Sequence, residues 1–265
     1  MSEDLLGKEY ISRWTLNAQQ HFDDGDYEWL CDLIQQYFPG ETCKRILELG
    51  CGAGYSTLTF LLRDYRVVSV DTNSTAIAET NALIRKYDYP SKIKTTDDPD
   101  FCQEDVLLWQ KDLVEEWGLI YALAKQQAAL DPIDLIVLCN PGGNLSETIS
   151  SQELNLLLSG GFCCEEIYKN LHAGCISLLH KWALIYASCA LSKSTGIPLL
   201  IVEREMKEVD DTLDQISSDT DMAIVKKSSR PIRTAPDGGT ILRGTTDATG
   251  QLCWRAAVYV PAKTQ

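Results

Sequence analysis

The sequence predicts an α/β fold: a doubly wound, seven-stranded sheet, mostly parallel with an antiparallel C-terminal hairpin, plus an N-terminal helical extension. Short apolar, β-branched runs alternate with helical patterns from residue 46 onward, which is typical of a parallel sheet covered by helices. The last two runs are close enough in sequence to pair antiparallel. With 265 residues, 45% hydrophobic and 23% charged, the chain can bury such a core.

The elements follow in chain order. Residues 5–38 have helical apolar spacing, broken by an acidic run at 23–26 and ended by Pro39-Gly40. The predicted strands are 46–49, 66–71, 92–96, 133–139, 198–202, 223–225 and 254–260. The predicted helices between them are 55–63, 74–87, 106–129, 165–191 and 205–218, and 231–251 is a polar connection. We expect residues 1–40 to form a helical cap on one domain, residues 41–265.

Composition excludes several classes of protein. The net charge of −14 and pI of about 4.6 argue against broad contact with nucleic-acid phosphates. No stretch approaches the ~20 apolar residues of a membrane span, and no signal peptide is evident. The ten cysteines form no Cys-x-x-Cys pair, and there are only three histidines, so we expect reduced thiols, no metal and a cytoplasmic location.

One segment departs from the acidic average. Residues 226–265 carry seven basic residues against two acidic ones. This excess either offers a docking surface for an anionic partner or keeps a hairpin edge soluble. The sequence does not determine the oligomeric state.

The most informative stretch is Glu48-Leu49-Gly50-Cys51-Gly52-Ala53-Gly54, between a predicted strand and a predicted helix. Glycines there let the backbone turn sharply and let a ligand approach it. Position six from Gly50 is Tyr55 and from Gly52 is Thr57, so neither register fits a dinucleotide fingerprint, and no Gly-Lys-Ser/Thr phosphate loop is present. An acid two residues before the first glycine suits a cationic amino group better than a phosphate.

These residues resemble the class I S-adenosylmethionine-dependent methyltransferases. The first motif of that family, Glu/Asp-x-Gly-x-Gly-x-Gly, is matched by Glu48, Gly50, Gly52 and Gly54. Its second, an acid that ends the second strand, is matched by Asp71. The resemblance covers about residues 45–260 and implies S-adenosylmethionine as cofactor and S-adenosylhomocysteine as product.

The resemblance also implies roles for further residues. Asp71 would accept bonds from both ribose hydroxyls, with Thr72 beside it. The acid after the third strand, which flanks the adenine, is matched by Glu104-Asp105-Val106, with Asp97 or Asp98 as a competing choice. The end of the fourth strand is matched by the segment that leads into Asn140 and Pro141, and Asn140 would also line the cofactor site.

The acceptor is less well defined by the sequence. Asn140-Pro141-Gly142-Gly143 partly resembles the Asn-Pro-Pro-aromatic motif of amino-group methyltransferases, but glycines replace the second proline and the aromatic residue. His21 is a candidate base in the helical cap, where Tyr10 and Trp14 would shape the acceptor pocket together with Pro141. Alternatively, His21 is a packing residue and Asn140 a turn residue.

The sequence therefore predicts an S-adenosylmethionine-dependent methyltransferase with a small-molecule acceptor. A protein or RNA acceptor is the first alternative, with residues 226–265 as the docking surface. A protein that binds the cofactor without catalysis is the second. Methyl transfer from a sulfonium needs mainly positioning of the two reactants, which is why the acceptor leaves little trace in the sequence.

Overall fold

The computed structural model describes residues 15–38, 43–94, 105–112, 115–116, 118, 120–122, 124, 132–139, 173–206, 212–232 and 252–262. The strands are β1 (Arg45–Leu49), β2 (Arg66–Asp71), β3 (Ser91–Lys94), β4 (Val106–Gln110), β5 (Leu135–Cys139), β6 (Leu199–Met206), β7 (Met222–Pro231) and β8 (Leu252–Pro261). The helices are α1 (15–23), α2 (Asp26–Tyr37), α3 (Tyr55–Leu62), α4 (Ser74–Lys86), α5 (Ala173–Thr195) and α6 (Thr212–Thr220), and residues 118, 120–122 and 124 are also helical.

The described strands form one sheet in the order β3-β4-β2-β1-β5-β6-β8-β7. Pairing is parallel from β3 through β6, and β8 runs antiparallel to both β6 and β7. The doubly wound, mostly parallel sheet with an antiparallel C-terminal pair is therefore confirmed. It has one strand more than predicted, because residues 106–110, expected to begin a helix, form β4 between β3 and β2.

Two apolar layers cover the sheet. One joins α2, α3 and α4 to one face through residues such as Leu30, Phe60 and Ile77. The other joins α5, α6 and the helical residues near Ile120 to the opposite face. Along β1 the side chains alternate, so that Ile46 packs with the first layer and Leu47 and Leu49 with the second.

The predicted helix over 106–129 is wrong at its start. Residues 106–110 form β4, an interior strand between β3 and β2 whose first four residues are buried. A strand covered on both faces reads as a continuous apolar run, which periodicity does not distinguish from a buried helix. The actual helical positions begin at about residue 118.

Other boundaries also shift. The third strand ends at Lys94 rather than residue 96, and β6 continues to Met206, so residues 205–206 are not helical. The N-terminal helical segment is divided at Asp24-Gly25, where Gly25 has a φ of 72° before α2 begins. The predicted strand 223–225 is part of the longer β7, whose central residues alternate between partly buried and exposed as an edge strand does.

Candidate functional site

The crevice of the sheet lies beyond the carboxyl ends of β1 and β5. From β1 the chain passes to β2 on one side, and β5 is the parallel neighbour of β1 on the other. The winding direction of the sheet changes between these two strands, which is where open α/β sheets bind ligands. The glycine loop follows β1 directly and therefore lies at this position.

The loop depends on glycine at each of its three matched positions. The φ angles are 82° at Gly50, 52° at Gly52 and 82° at Gly54. A Cβ on Gly54 would lie 2.7 Å from the side chain of Thr80 in α4, whereas a Cβ on Gly50 would meet no atom within 4 Å. Gly54 is thus required for packing, and Gly50 is exposed beside open space that a ligand can enter.

Glu48 lies behind this loop and does not face the crevice. Its side chain is fully buried at 0% exposure. Ser56 Oγ donates to Oε1 at 2.5 Å, while Thr57 Oγ1 and Ser69 Oγ donate to Oε2 at 2.5 and 2.7 Å. Burial raises the pKa of Glu48, and these hydroxyl donors oppose the shift. The sequence predicted that Glu48 suits a ligand's amino group. In the structure, its side chain has no exposed surface through which a ligand could reach the carboxyl oxygens.

Asp71 lies at the carboxyl end of β2 and bridges to the glycine loop. Its Oδ2 accepts from Gly52 N at 3.0 Å, and its Oδ1 accepts from Asn73 N at 2.9 Å. Burial raises the pKa of Asp71, and the backbone donors oppose that shift. The neighbouring Thr72 is exposed. Cys51 Sγ also donates to Oδ2 at 3.9 Å, and Oδ1 retains a second lone pair that can accept a bond from a ligand.

The helix after β2 is capped by another residue. Asn73 Oδ1 accepts from Thr75 N at 2.9 Å and from Ala76 N at 3.3 Å. This is the N-cap geometry expected of asparagine. Asp71 is therefore not the cap of α4, and its position has to be explained by the loop and the crevice.

The predicted adenine-flanking residues are misplaced. Asp105 and Val106 lie at the start of β4, where Asp105 O accepts from Val67 N at 2.9 Å. In the parallel register Val106 is level with Val67 and Gln110 with Asp71, so Asp105 and Val106 lie at the edge of the sheet opposite the glycine loop. Glu104 lies outside the described residues, as do Asp97 and Asp98.

Residues that the sequence analysis did not single out lie at the end of β4 nearest the glycine loop. Gln110 ends β4, Lys111 and Asp112 follow it, and Lys111 N donates to Asp71 O at 3.0 Å. Lys111 Nζ donates to Glu116 Oε1 at 2.8 Å, and Asp112 Oδ1 accepts from Glu115 N at 2.9 Å. The signal was the change from an apolar run to Gln-Lys-Asp after Trp109, which the helical interpretation concealed.

Cys51 lies inside the glycine loop and is buried. Burial raises its pKa well above the usual value for a thiol, with the nearby Asp71 and Glu48 adding to the shift. Thr80 Oγ1 donates to Cys51 Sγ at 3.6 Å and to Gly52 O at 3.1 Å. Cys51 is therefore a neutral packing group rather than a nucleophile.

Helix α1 connects the loop to the far half of the sheet. Phe22 packs against Tyr55, the residue after Gly54, with ring centroids 5.5 Å apart. The preceding residue of α1 is His21, whose ring centroid lies 4.5 Å from that of Trp254 in β8. In the sheet register, Trp254 pairs with Arg204 of β6. Arg204 lies two residues after Val202, which pairs with Cys139 at the end of β5. The C-terminal end of α1 therefore contacts both the start of α3 and β8, while Thr15 at its other end donates to Glu79 Oε2 of α4 at 2.9 Å.

His21 belongs to a buried polar cluster. Its Nδ1 lies 2.8 Å from Oδ2 of Asp26, and Arg230 Nε donates to Oδ1 of Asp26 at 2.7 Å. His21 and Asp26 are 8% and 2% exposed. Because Asp26 accepts at both oxygens, the hydrogen lies on Nδ1, and Nε2 of a neutral His21 is the basic nitrogen. Nε1 of the buried Trp254 has no hydrogen-bond partner among the residues described.

The remaining candidates are not placed. Tyr10, Trp14, Asn140 and Pro141 lie outside the described residues, and the structure locates only Cys139, at the end of β5. Within the described ranges, no group of three or more His, Cys, Asp or Glu residues could hold a metal ion. No helix described here is both long and apolar enough to cross a membrane.

No protein-family model and no curated protein matches the sequence. Among solved structures, the chain is similar to the N-methyltransferase NodS from Bradyrhizobium japonicum WM9, at 12% identity over 91% of this chain and 97% of that one, with a TM-score of 0.48. The methyltransferase domain of bacterial CtHen1 gives 9% identity over 90% and 99% of the two chains, with a TM-score of 0.47. The assignment of ligand and reaction therefore depends on this chain's own residues.

Proposed function

We propose that this protein is an S-adenosylmethionine-dependent methyltransferase that acts on a small molecule. The observation that carries the proposal is the position of Asp71, which ends β2 at the crevice and is bonded to Gly52 of the loop. An acid at that position in a doubly wound fold binds ribose hydroxyls. Gly50 beside it leaves open space for the rest of the ligand.

The charges around the loop favour this cofactor over a dinucleotide. Asp71 places a carboxyl group beside the loop at the crevice, and within the described residues no lysine or arginine side chain is hydrogen-bonded to it. A pyrophosphate would meet like charge here, whereas a sulfonium and an ammonium would be attracted. When bound, S-adenosylmethionine supplies an electrophilic methyl group and leaves as S-adenosylhomocysteine.

For the cofactor site we propose Asp71, Thr72, Gly50, Gly52 and Gly54 as contacts. Gln110 and Asp112 take the place that the sequence assigned to Asp105 and Val106, because they lie at the carboxyl end of β4, at the correct edge of the sheet. Asn140 stays a proposal from the sequence alone. The helical segment up to residue 40 is proposed as the cap of one domain, and the cytoplasm as its location.

The acceptor side is proposed to lie under α1. The C-terminal end of this helix contacts both Tyr55 beside the loop and Trp254 in β8, which favours an acceptor that binds next to this end of α1. The net charge of −14 favours a metabolite over RNA as acceptor. Trp254 Nε1, buried and without a described hydrogen-bond partner, is available as a donor to a polar atom of the acceptor.

His21 is proposed as the proton acceptor of the reaction. Asp26 holds the Nδ1–H tautomer, which leaves Nε2 to take the proton that the acceptor's nitrogen or oxygen loses as its bond to the methyl group forms. Arg230 balances the charge of Asp26. With the cofactor supplying the methyl group and leaving as a thioether, His21 would hold the released proton as an imidazolium paired with Asp26.

The test is a titration with S-adenosylhomocysteine followed by turnover. Binding with a stoichiometry of one, and methyl transfer from labelled S-adenosylmethionine to a member of a panel of amino- and hydroxyl-bearing metabolites, would support the proposal. Transfer to RNA, with binding that weakens steeply as salt rises, would favour the RNA alternative. Binding without transfer to any acceptor would favour a non-catalytic protein, and no binding would contradict the proposal.

A further inference from the structure

The three hydroxyl groups around Glu48 come from two elements that follow it. Ser56 and Thr57 lie in the first turn of α3, and Ser69 lies in β2, directly level with Glu48 in the parallel register. All three hydroxyl-bearing residues are buried, with Ser69 and Thr57 at 0% exposure. Glu48 therefore links β1, β2 and α3 through hydrogen bonds. The glycine loop connects β1 to α3, so these bonds fix both ends of the loop.

The start of α3 has no side-chain cap of its own. Its N-cap is Gly54, and its first turn contains no acidic residue. The free N–H groups of a helix N-terminus carry partial positive charge and favour a nearby anion. The Glu48 carboxyl, held by Ser56 and Thr57, supplies that group from the neighbouring strand.

We propose that Glu48 is a positioning residue, which fixes the glycine loop through Ser56, Thr57 and Ser69 and does not contact the amino group of the bound ligand. The inference rests on the proposed function for the identity of the ligand. It follows from geometry: both carboxyl oxygens are engaged by hydroxyls, and the side chain has no exposed surface. The ligand meets the exposed Gly50 instead.

Two ligands that differ only in the amino-acid moiety separate positioning from contact. S-adenosylhomocysteine has that moiety, and 5′-methylthioadenosine lacks it while keeping the adenosine and the thioether. If Glu48 positions the loop, Glu48→Gln weakens both ligands by a similar factor, about tenfold. Selective loss of S-adenosylhomocysteine, with 5′-methylthioadenosine unchanged, would overturn the inference, as would unchanged affinity for both.

Ser69→Ala is the second variant, because it leaves the carboxyl group in place and Ser69 has no exposed surface with which to touch a ligand. We expect a smaller loss of affinity for both ligands, about threefold. It also covers the case in which Glu48→Gln does not fold. Leu213→Ala, in the apolar layer on the opposite face of the sheet, is the control for general destabilisation and should leave both dissociation constants unchanged.

Hydrogen exchange in the empty protein gives a readout that needs no ligand. The Gly52 and Gly54 amides, bonded to Asp71 Oδ2 and Cys51 O, should exchange faster in Glu48→Gln and Ser69→Ala than in Leu213→Ala. Equal protection in all three variants would overturn the positioning role. If the parent protein binds neither ligand, the proposed function fails, while the exchange experiment still decides the role of Glu48.

Discussion

Asp71 and Asn73 stand two residues apart at the end of β2 and have separable roles. Asp71 bonds the loop at Gly52, and Asn73 caps α4. Asp71→Ala should weaken S-adenosylhomocysteine at least tenfold, because hydrogen bonds to a charged acceptor contribute about 1.5–3 kcal/mol each. Asn73→Ala, the matched control, should lower stability by about 1 kcal/mol and leave affinity unchanged. Calorimetry measures the affinity of each variant for S-adenosylhomocysteine, and melting temperatures measure its stability. An affinity of Asp71→Ala equal to that of the parent protein would show that Asp71 is not part of the site.

Gly54 and Gly50 form a second matched pair. Both have a φ of 82°, so alanine is strained at either position. Only at Gly54 would the new Cβ lie 2.7 Å from Thr80, whereas at Gly50 it meets nothing within 4 Å. Chemical denaturation should show Gly54→Ala to be the less stable variant, with Gly50→Ala losing about 1–2 kcal/mol from strain alone. Equal losses of stability in the two variants would contradict this, and would mean that the Thr80 side chain moves aside at little cost in free energy.

His21→Asn tests the proton acceptor on the metabolite identified by the turnover panel. The asparagine amide can still donate to Asp26, but it has no basic nitrogen at the place of Nε2. Removal of a general base lowers kcat by a factor of about 10²–10⁴, while S-adenosylhomocysteine should bind as before. A variant with parental kcat would show that His21 only packs against Trp254.

The glycine loop and Asp71 were predictable because short-range backbone requirements appear in the sequence as residue types. Three glycines with positive φ and an acid at a strand end lie where the pattern put them. The role of Glu48 was not predictable, since the hydroxyl donors Ser56, Thr57 and Ser69 are brought to it by packing. The cluster of His21, Asp26 and Arg230 joins residues more than 200 positions apart and has no local signature.

Helices α1 and α2 are anchored to the sheet by that cluster. Asp26 in α2 accepts from His21 of α1 and from Arg230 of β7, and Arg230 also donates to the carbonyl of Asp24 at 2.7 Å. Removing one partner of a buried ion pair leaves the other uncompensated and costs about 3–5 kcal/mol. Because Arg230 is partly exposed, we expect Asp26→Ala to lose about 2–3 kcal/mol in urea unfolding.

Asp32 provides the control on the same helix. Its carboxylate lies 3.2 Å from Arg63 Nη2 at the surface, where ion pairs contribute about 0–1 kcal/mol. Asp32→Ala should therefore change stability much less than Asp26→Ala. If the two variants were equally stable, Asp26 would not anchor the helical segment.

Strand β4 shows where prediction of elements from this sequence ends. Val106 to Trp109 is apolar throughout because helices cover both faces of the sheet. After the polar residues 110–112, apolar residues recur toward the helical positions at 118–124, which made the whole stretch resemble one helix. A single misassigned strand moved the adenine-flanking residues to the wrong edge of the sheet. The parallel pairing of the other strands was predictable, since alternating strands and helices form parallel sheets joined by crossovers.

The protein as a whole is strongly acidic, with a net charge of −14, and Asp71 adds a carboxyl group at its crevice. This distribution disfavours a ligand that carries phosphates and favours one that carries positive charge. The fold alone admits both, because doubly wound sheets bind dinucleotides as well as smaller adenosine ligands at the same crevice. The glycine loop distinguishes them, because its register does not fit the dinucleotide fingerprint.

Calorimetric titration of the full chain with S-adenosylhomocysteine, and in parallel with NAD, tests the central claim most directly. The account predicts saturable binding of S-adenosylhomocysteine with a stoichiometry of one, loss of at least tenfold in affinity in Asp71→Ala, and no binding of NAD. Binding of NAD, or the absence of heat with S-adenosylhomocysteine in a protein that melts cooperatively, would contradict it.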